Sequence, residues 1–226
     1  MRVHVAFTPA ESAAASIGIV VDVVRATSTI AQALAAGWPR VYCCSEIDEA
    51  HALKAQLGEG VLGGERDAVR VEGFDVGASP REFTVARDEP LILSTTNGTR
   101  AILAAARACD VVLVGSLLNL GAVVAWVRER GDDVTILCAG YKGAFAFDDA
   151  YCAGRFVAEL GGTPTDAAVA AQLLARAFPD PLDGLNARTY GPPGLEEDIA
   201  FCARESVLDV VPRYTGLVGP GAEITR

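Results

Sequence analysis

The stretch VVDVVRATSTIAQALAAG, residues 20–37, decides the fold class of this chain. It begins as an apolar run, turns polar for a few positions and continues with the spacing of a helix. A strand that runs directly into a helix is the repeating unit of α/β proteins. Asp22 and Arg25 lie at the turn between the two elements, and three hydroxyl side chains follow closely. This turn is therefore also a candidate site for an anion or a metal ion.

The same alternation of strands and helices continues along the chain. Apolar runs predict strands near 2–7, 17–23, 40–44, 61–63, 91–94, 111–115 and 134–139. Helical spacing predicts helices near 28–36, 46–57, 99–108, 117–130, 148–160, 164–177 and 194–204. Strands such as VVLVG are apolar on both faces, as parallel strands covered by helices are. We therefore expect an α/β fold with three layers, in which helices cover both faces of one or two largely parallel sheets.

The length of 226 residues fits one large domain, with two small lobes as the alternative. A faint repeat favours two similar lobes, because the strand, polar turn and helix around Thr29 recur around Thr99. All βαβ units share this pattern, so the fold class alone explains the repeat equally well. We predict a single unit over 1–226, with two intimately packed lobes over about 1–85 and 86–226 as the alternative.

Composition narrows the classes of function. The net charge of −10 argues against a nucleic-acid or anionic-membrane partner, since either would favour a basic patch. No apolar run is long enough for a transmembrane helix, and the first residues lack a signal-peptide pattern. The six cysteines show no CxxC and no disulfide-framework spacing, so we expect reduced core thiols. A cytoplasmic, soluble protein is expected, and whether two copies form a homodimer stays open.

The sharpest candidate site is the segment LILSTTNGTRAILAA, residues 91–105. An apolar strand runs into a polar turn, and a helix follows. Backbone N–H groups at the helix start, together with several hydroxyls, make an anion cradle, and a glycine there lets the backbone approach a ligand. An ordinary turn with a threonine cap is the alternative. The predicted substrate-binding residues in this segment are Thr95, Thr96, Asn97, Gly98, Thr99 and Arg100.

Carboxylates near the ends of elements form a second set of candidates. Glu65 follows a strand and a Gly-Gly pair, Asp75 lies in a Gly-rich loop, and an Asp-Asp pair begins a predicted helix. Each has a structural alternative: Asp22 can pair with Arg25, loop acids can face solvent, and the Asp-Asp pair can compensate a helix dipole. Because the chain has only two histidines, hard oxygen ligands favour Mg²⁺ over zinc. The candidate metal ligands are Asp22, Glu65, Asp75, Asp148 and Asp149.

Five motifs in fixed order carry a resemblance to a known family. VVDVVRATST, GGER, GFDVGASP, TTNGTRA and DDAYCAGR resemble the 2-phosphosulfolactate phosphatase family, from about residue 18 to 160 and more loosely beyond. The resemblance implies an α/β fold with two similar lobes. It also implies Mg²⁺-dependent hydrolysis of (R)-2-phospho-3-sulfolactate to 3-sulfolactate and phosphate, a step toward coenzyme M.

The sequence departs from the family pattern in three places. Ser28 interrupts the usual threonine run, Ala78 replaces an asparagine, and the pair Asp148–Asp149 replaces Glu-Asp. The aspartate pair keeps both carboxylates and shortens one of them. The loss of an amide at Ala78 bears on the identity of the substrate more than on the chemistry.

The sequence thus predicts a Mg²⁺-dependent phosphatase for a small anionic phosphate monoester. Asp22 is expected to ligate the metal or to attack phosphorus, and the sequence leaves both roles open. One alternative is a haloacid-dehalogenase-like phosphatase, although Val24 stands where its second aspartate would be. The others are a phosphatase for a different small phosphoester and a non-catalytic binding protein for anionic metabolites. The predicted catalytic residues are Asp22, Arg25 and Arg66, and Thr27, Thr29 and Ser79 complete the predicted substrate-binding set.

Overall fold

The computed structural model of this chain describes residues 1–11, 14–191 and 193–226. Its strands are β1 (Arg2–Ala6), β2 (Ala15–Val21), β3 (Val41–Cys44), β4 (Val61–Arg66), β5 (Val69–Arg70), β6 (Leu91–Ser94), β7 (Cys109–Gly115), β8 (Val134–Cys138), β9 (Thr163–Pro164), β10 (Arg213–Val218) and β11 (Gly221–Thr225). Its helices are α1 (Ala26–Ala36), α2 (Ile47–Leu57), α3 (Thr96–Ala108), α4 (Leu120–Arg130), α5 (Phe147–Leu160), α6 (Asp166–Ala177), α7 (Pro181–Asn186) and α8 (Glu196–Cys202). No helix within these ranges is long and apolar enough to cross a membrane.

The strands form one sheet in the order β5-β4-β6-β3-β11-β10-β7-β2-β8-β1-β9. It contains two parallel blocks. The small block is β4, β6 and β3, and the large block is β7, β2, β8, β1 and β9. The antiparallel hairpin of β10 and β11 joins the blocks, because β11 pairs with β3 and β10 pairs with β7. Helices cover both faces, so the predicted three-layer α/β fold is confirmed.

The seven predicted strands and the seven predicted helices all form, with ends that shift by a few residues. The C-terminal hairpin, the short strands β5 and β9 and the short helix α7 were not predicted. Within both blocks, parallel pairs such as β3–β6 and β2–β7 join strands from either side of residue 85. The division into two lobes near this residue stays a prediction.

Helices α1 and α3 pack against strands of both blocks. Ile30 and Leu34 of α1 and Ile102 of α3 share one buried cluster with Val20 of the large block and Leu93 of the small block. Burial of these branched side chains favours this placement by roughly 2 kcal/mol each. The first turns of α1 and α3 are thereby held close together, where the blocks meet.

The outer faces of the two blocks are covered separately. Helices α4, α5 and α6 pack on the large block, where Val123, Phe156 and Ala171 share a cluster with Ile19. Helix α2 packs on the small block, where Leu53, Ile92 and Phe74 share another cluster. Each block therefore has its own outer core, and the residues beyond the strand ends remain available for a site.

Candidate active site

Residues at or just after the carboxyl ends of β2, β4, β6 and β8 line one cavity of about 180 Å³. This edge is where ligands collect in α/β proteins. Strands from both blocks contribute to it. The predicted site residues that line the cavity are Asp22, Arg25, Glu65, Arg66, Thr95, Thr96, Asn97, Asp148 and Asp149.

The first turns of three helices face this cavity, through Ala26 of α1, Thr96 of α3 and Asp148 of α5. The first N–H groups of a helix have no partner inside the helix, and the helix dipole adds positive charge there. The side chain of Asp22 accepts a hydrogen bond from the Ala26 N–H, and Asp148 accepts one from the N–H of Asp149 at 3.0 Å. Helix α3 has no side-chain cap among the described residues. The start of α3 is therefore the open anion site of the three.

Asp22 lies directly beside this open helix start. A Cβ atom placed on Gly98 of α3 would lie 3.0 Å from Asp22 Oδ2 and 2.7 Å from Ala26 Cβ. Only glycine permits so close an approach between the two helix starts. Thr27 fixes the main chain here, because its Oγ1 donates to the Asp22 carbonyl at 2.9 Å and accepts from the Asp22 N–H at 3.1 Å.

The Asp22–Arg25 ion pair considered as an alternative is wrong. Arg25 Nη1 pairs with Asp198 Oδ2 of α8 at 2.6 Å, and both side chains are buried. Arg25 Nη2 also donates to the carbonyl of Ala68 at 3.4 Å. Ser79 Oγ donates to the other Asp198 oxygen at 2.5 Å. Arg25 and the predicted residue Ser79 are thus tied to one carboxylate, and Asp22 has no cation in direct contact among the described residues.

The carboxylates in the cavity oppose one another's ionisation. Burial, the nearby Asp148 carboxylate and, to a smaller extent, Glu65 raise the pKa of Asp22 to about 7, while the Ala26 N–H acts in the opposite direction. Burial also raises the pKa of Asp148, although Tyr190 and Arg188 favour its charged form. The pocket thus places several acid groups where a cation would relieve their repulsion.

The two adjacent aspartates have different surroundings. Asp149 accepts hydrogen bonds from the N–H of Val23 at 2.9 Å and from the N–H of Gly140 at 3.0 Å, so it ties the end of β2 to the end of β8. Asp148 accepts a short hydrogen bond from the Tyr190 hydroxyl. Asp149 therefore stabilises the frame of the site, whereas Asp148 faces the cavity groups.

Threonines around the start of α3 hold the turn in place. The hydroxyls of Thr95 and Thr99 are 3.1 Å apart, and Thr99 Oγ1 also donates to the Cys44 carbonyl at 3.2 Å. Both side chains are buried. Thr96 and Asn97 are partly exposed to the cavity, and no hydrogen bond of their side chains is seen in the described chain. These two side chains are the ones free to contact a ligand.

Glu65 and Arg66 both line the cavity with their positions fixed. Glu65 Oε2 accepts from the Ala68 N–H at 2.6 Å. Arg66 donates to the Glu65 carbonyl at 2.7 Å and to Ser45 O and Ser94 Oγ at 3.1 Å each. The protein therefore already occupies much of the donor capacity of Arg66.

Seven of the predicted residues are not part of the cavity lining, and three of these seven have their partners elsewhere. Thr29 is buried and donates to the Ala78 carbonyl at 2.7 Å. Asp75 accepts from the Leu62 N–H at 2.8 Å and lies 3.2 Å from an exposed lysine. Arg100 is exposed and 3.5 Å from Glu46. These residues are not brought together with Asp22.

The cavity-lining residues that the sequence did not predict include Tyr141, Lys142, Arg188 and Tyr190. The rings of Tyr141 and Tyr190 stack with centroids 4.6 Å apart. The irregular Gly- and Pro-rich segment 178–194 contains Arg188 and Tyr190, and it was a signal for these two residues, since long ordered loops often carry function. Nothing in the sequence singled out Asp198, the partner of Arg25.

The donors in the cavity fit Mg²⁺ by their chemistry. The described residues contain no group of three or more His, Cys, Asp or Glu side chains arranged to hold a metal ion. Mg²⁺ is commonly bound by one or two carboxylates together with water and substrate phosphate oxygens. Asp22 and Asp148 supply such a pair, and a bound cation would oppose the burial and the Asp148 charge that raise the pKa of Asp22.

Comparison with known proteins identifies the family of this chain. The family model described as 2-phosphosulpholactate phosphatase matches residues 4–216. A relative from Thermus thermophilus is 39% identical over 231 residues, covering 97% of each chain. One from Carboxydothermus hydrogenoformans is 36% identical over 222 residues, covering 94% of this chain and 92% of the relative. Both relatives bear the name "Probable 2-phosphosulfolactate phosphatase". The chain belongs to the 2-phosphosulfolactate phosphatase family.

Proposed function

We propose that this chain is a phosphatase that hydrolyses (R)-2-phospho-3-sulfolactate to 3-sulfolactate and phosphate, with Mg²⁺ as its cofactor. Membership in the family and the names of the relatives support the reaction. The reaction consumes one water molecule and breaks the ester bond to phosphorus. A pocket of about 180 Å³ has room for a compact substrate of this kind.

The observation that carries the proposal is the contact between Asp22 and the open start of α3. A phosphate group bound by the first N–H groups of α3 would lie beside Asp22, because Gly98 brings the two within van der Waals distance. Thr96 and Asn97 would add side-chain contacts to the phosphate oxygens. An anion receptor and an acid group thus meet at one point.

Phosphoryl transfer needs positioning and charge neutralisation more than covalent work by the protein. Mg²⁺, held by Asp22 and Asp148, would supply the neutralising charge for the phosphate oxygens. Thr27 and the Ala26 N–H orient Asp22, and Tyr190 orients Asp148. Two roles are open to Asp22, which are metal ligand and nucleophile.

Phosphate release from a panel of small esters tests this proposal. We expect turnover of 2-phospho-3-sulfolactate that excess EDTA abolishes and added Mg²⁺ restores. Full turnover in EDTA would exclude the metal. Binding of the ester without phosphate release would favour an anion-binding protein instead.

The proposed enzyme acts in the cytoplasm on a small-molecule substrate. The described cysteines form no disulfide bonds, in keeping with a reducing compartment. The net charge of −10 supports a partner other than nucleic acid. Whether two copies form a homodimer stays open.

A further inference from the structure

Arg188 differs from the other arginines that line the cavity. Its side chain is 10% exposed, and its nearest acid oxygen, Asp148 Oδ2, is 3.7 Å from Nη1. Within the described residues it makes no hydrogen bond. Arg25, by contrast, pairs with Asp198 at 2.6 Å, and Arg66 donates to three oxygens of the protein.

The guanidinium of Arg188 keeps unused N–H donors that open to the cavity, since every fully buried side-chain nitrogen in the described residues has a hydrogen-bond partner. It carries five N–H donors in a planar fork and stays protonated. Buried polar groups in proteins are nearly always hydrogen-bonded. The fork matches the two oxygens of a carboxylate or sulfonate, so Arg188 fits a second anionic group of a bound ligand.

The surroundings of Arg188 place this second group in the same cavity as the phosphate cradle. Asp148 lies between Arg188 and the phosphate cradle, because its charge acts on Asp22 while its oxygens face Arg188 and Tyr190. The stacked ring of Tyr141 forms a wall there. Lys142 adds a second cation; its side chain is exposed and lies 3.6 Å from Asp67.

We propose that Arg188 is a specificity-determining residue that binds an acidic group, carboxylate or sulfonate, on the carbon skeleton of the phosphoester. The inference rests on the proposed function and deepens it, because it names the residue that recognises the second anionic group of the monoester. In this reading Arg66 and Arg25 hold the frame of the site, and Arg188 selects the ligand.

Four esters and two variants test the proposal by kcat/KM. The esters are 2-phospho-3-sulfolactate, 2-phospholactate with the carboxylate alone, 1-sulfopropan-2-yl phosphate with the sulfonate alone, and isopropyl phosphate with neither. We expect Arg188→Met to lower kcat/KM about 100-fold for esters that carry the recognised group. Isopropyl phosphate, which carries neither acid group, should lose much less, because the variant then acts only through the neighbouring Asp148. The single-acid ester that loses activity identifies the group that Arg188 binds.

The competing role for Arg188 is to hold Asp148 in place. That role predicts an equal loss on all four esters, including isopropyl phosphate, and such a result would overturn the proposal. Arg188→Lys keeps the charge and removes the fork, so we expect it to lose selectivity to an intermediate degree. It decides the question if Arg188→Met fails to fold. Arg107→Met, an exposed position outside the cavity, is the matched control for loss of one positive charge.

A binding measurement separates failure of this inference from failure of the proposed function. Calorimetric titration with 3-sulfolactate, which has no phosphate, requires no turnover. We expect wild type and Arg107→Met to bind it and Arg188→Met to bind it at least 10-fold more weakly. If wild type hydrolyses none of the esters, the proposed function fails while this titration still decides on Arg188. Equal binding by wild type and Arg188→Met, or no binding by wild type, would contradict the role of Arg188.

Discussion

The turns that follow β2 and β6 begin alike and end differently. Each follows a strand with a buried end and leads into a helix whose first turn carries hydroxyl residues. After β2, the side chain of Asp22 occupies the N–H of Ala26 at the start of α1. After β6, the hydroxyls of Thr95 and Thr99 bond within the turn and leave the start of α3 open. Two similar units thus supply an acid and an anion receptor, and the site exists only where they meet.

We expect the largest effect from removing the carboxylate of Asp22, the acid that follows β2. Asp22→Asn should lower kcat by at least about 10³-fold, because both roles open to Asp22 need a carboxylate. The melting temperature should stay close to that of wild type, since Arg25 keeps Asp198 as its partner. Single-turnover rates and thermal melts check this, with the exposed Asp132→Asn as control. An active but unstable Asp22→Asn protein would restore a purely structural role for Asp22.

Forcing the two turns apart should have the next largest effect. In Gly98→Ala the new methyl group would lie 2.7 Å from Ala26 Cβ and 3.0 Å from Asp22 Oδ2, so α1 and α3 must separate. We expect about a 100-fold loss of kcat/KM, which is typical of misplacement by about 1 Å. Gly121→Ala, on α4 away from the site, meets only the flexible Ser206 side chain and is the control. Unchanged kinetics in Gly98→Ala would mean that the close approach is not used.

Weakening phosphate binding at the open start of α3 should reduce function less than either of these changes. Asn97→Ala removes one side chain from the open helix start but keeps its N–H groups, so inhibition by inorganic phosphate should weaken about 10-fold. The protein should stay folded, because Asn97 bonds to no other described side chain. Inhibition constants for this variant and for the exposed control Asn186→Ala measure the effect. Equal constants would remove Asn97 from the cradle.

The smallest effect concerns the stability of the Mg²⁺-free protein. The pKa of Asp22 is raised from 3.8 to about 7 in the folded chain, so folding favours its protonated form. The contribution of protonated Asp22 to the free energy of unfolding is complete below pH 3.8 and is lost as the pH rises through about 7. The range from pH 5 to pH 8 lies above the ordinary pKa of 3.8 and includes the folded-state pKa of about 7. Over this range, wild type in EDTA should therefore lose roughly 2 kcal/mol more stability than Asp22→Asn. Thermal melts at both pH values show this as a steeper fall in Tm for wild type, and parallel curves would contradict it.

Local sequence patterns predicted much of the fold. Apolar runs and helical spacing located the parallel strands and their helices because burial on both faces leaves a strong signature. The hairpin of β10 and β11 was missed because β10 is partly exposed and interrupted by Gly216, so it lacks a continuous apolar run. Its pairing with β3 and β7 depends on residues 100 or more positions away, which no local pattern reports.

Parts of the site were predictable for the same reason. Asp22 and the turn after β6 lie at strand ends, where the sequence itself marks the change from apolar to polar. The partner of Arg25 was not predictable, since Asp198 is 173 positions away on α8. Arg188 and Tyr190 lie in an irregular segment without periodicity, so only their position in the folded chain shows that they face Asp148.

The central claim is that phosphate binds at the open start of α3 beside Asp22. A crystal structure with Mg²⁺ and inorganic phosphate tests it most directly. The account predicts phosphate oxygens within hydrogen-bond distance, about 2.7–3.2 Å, of the Thr96 and Asn97 N–H groups, with Asp22 on the Mg²⁺ ion or facing phosphorus. Phosphate bound away from α3, with the Thr96 and Asn97 N–H groups left to solvent, would contradict the account.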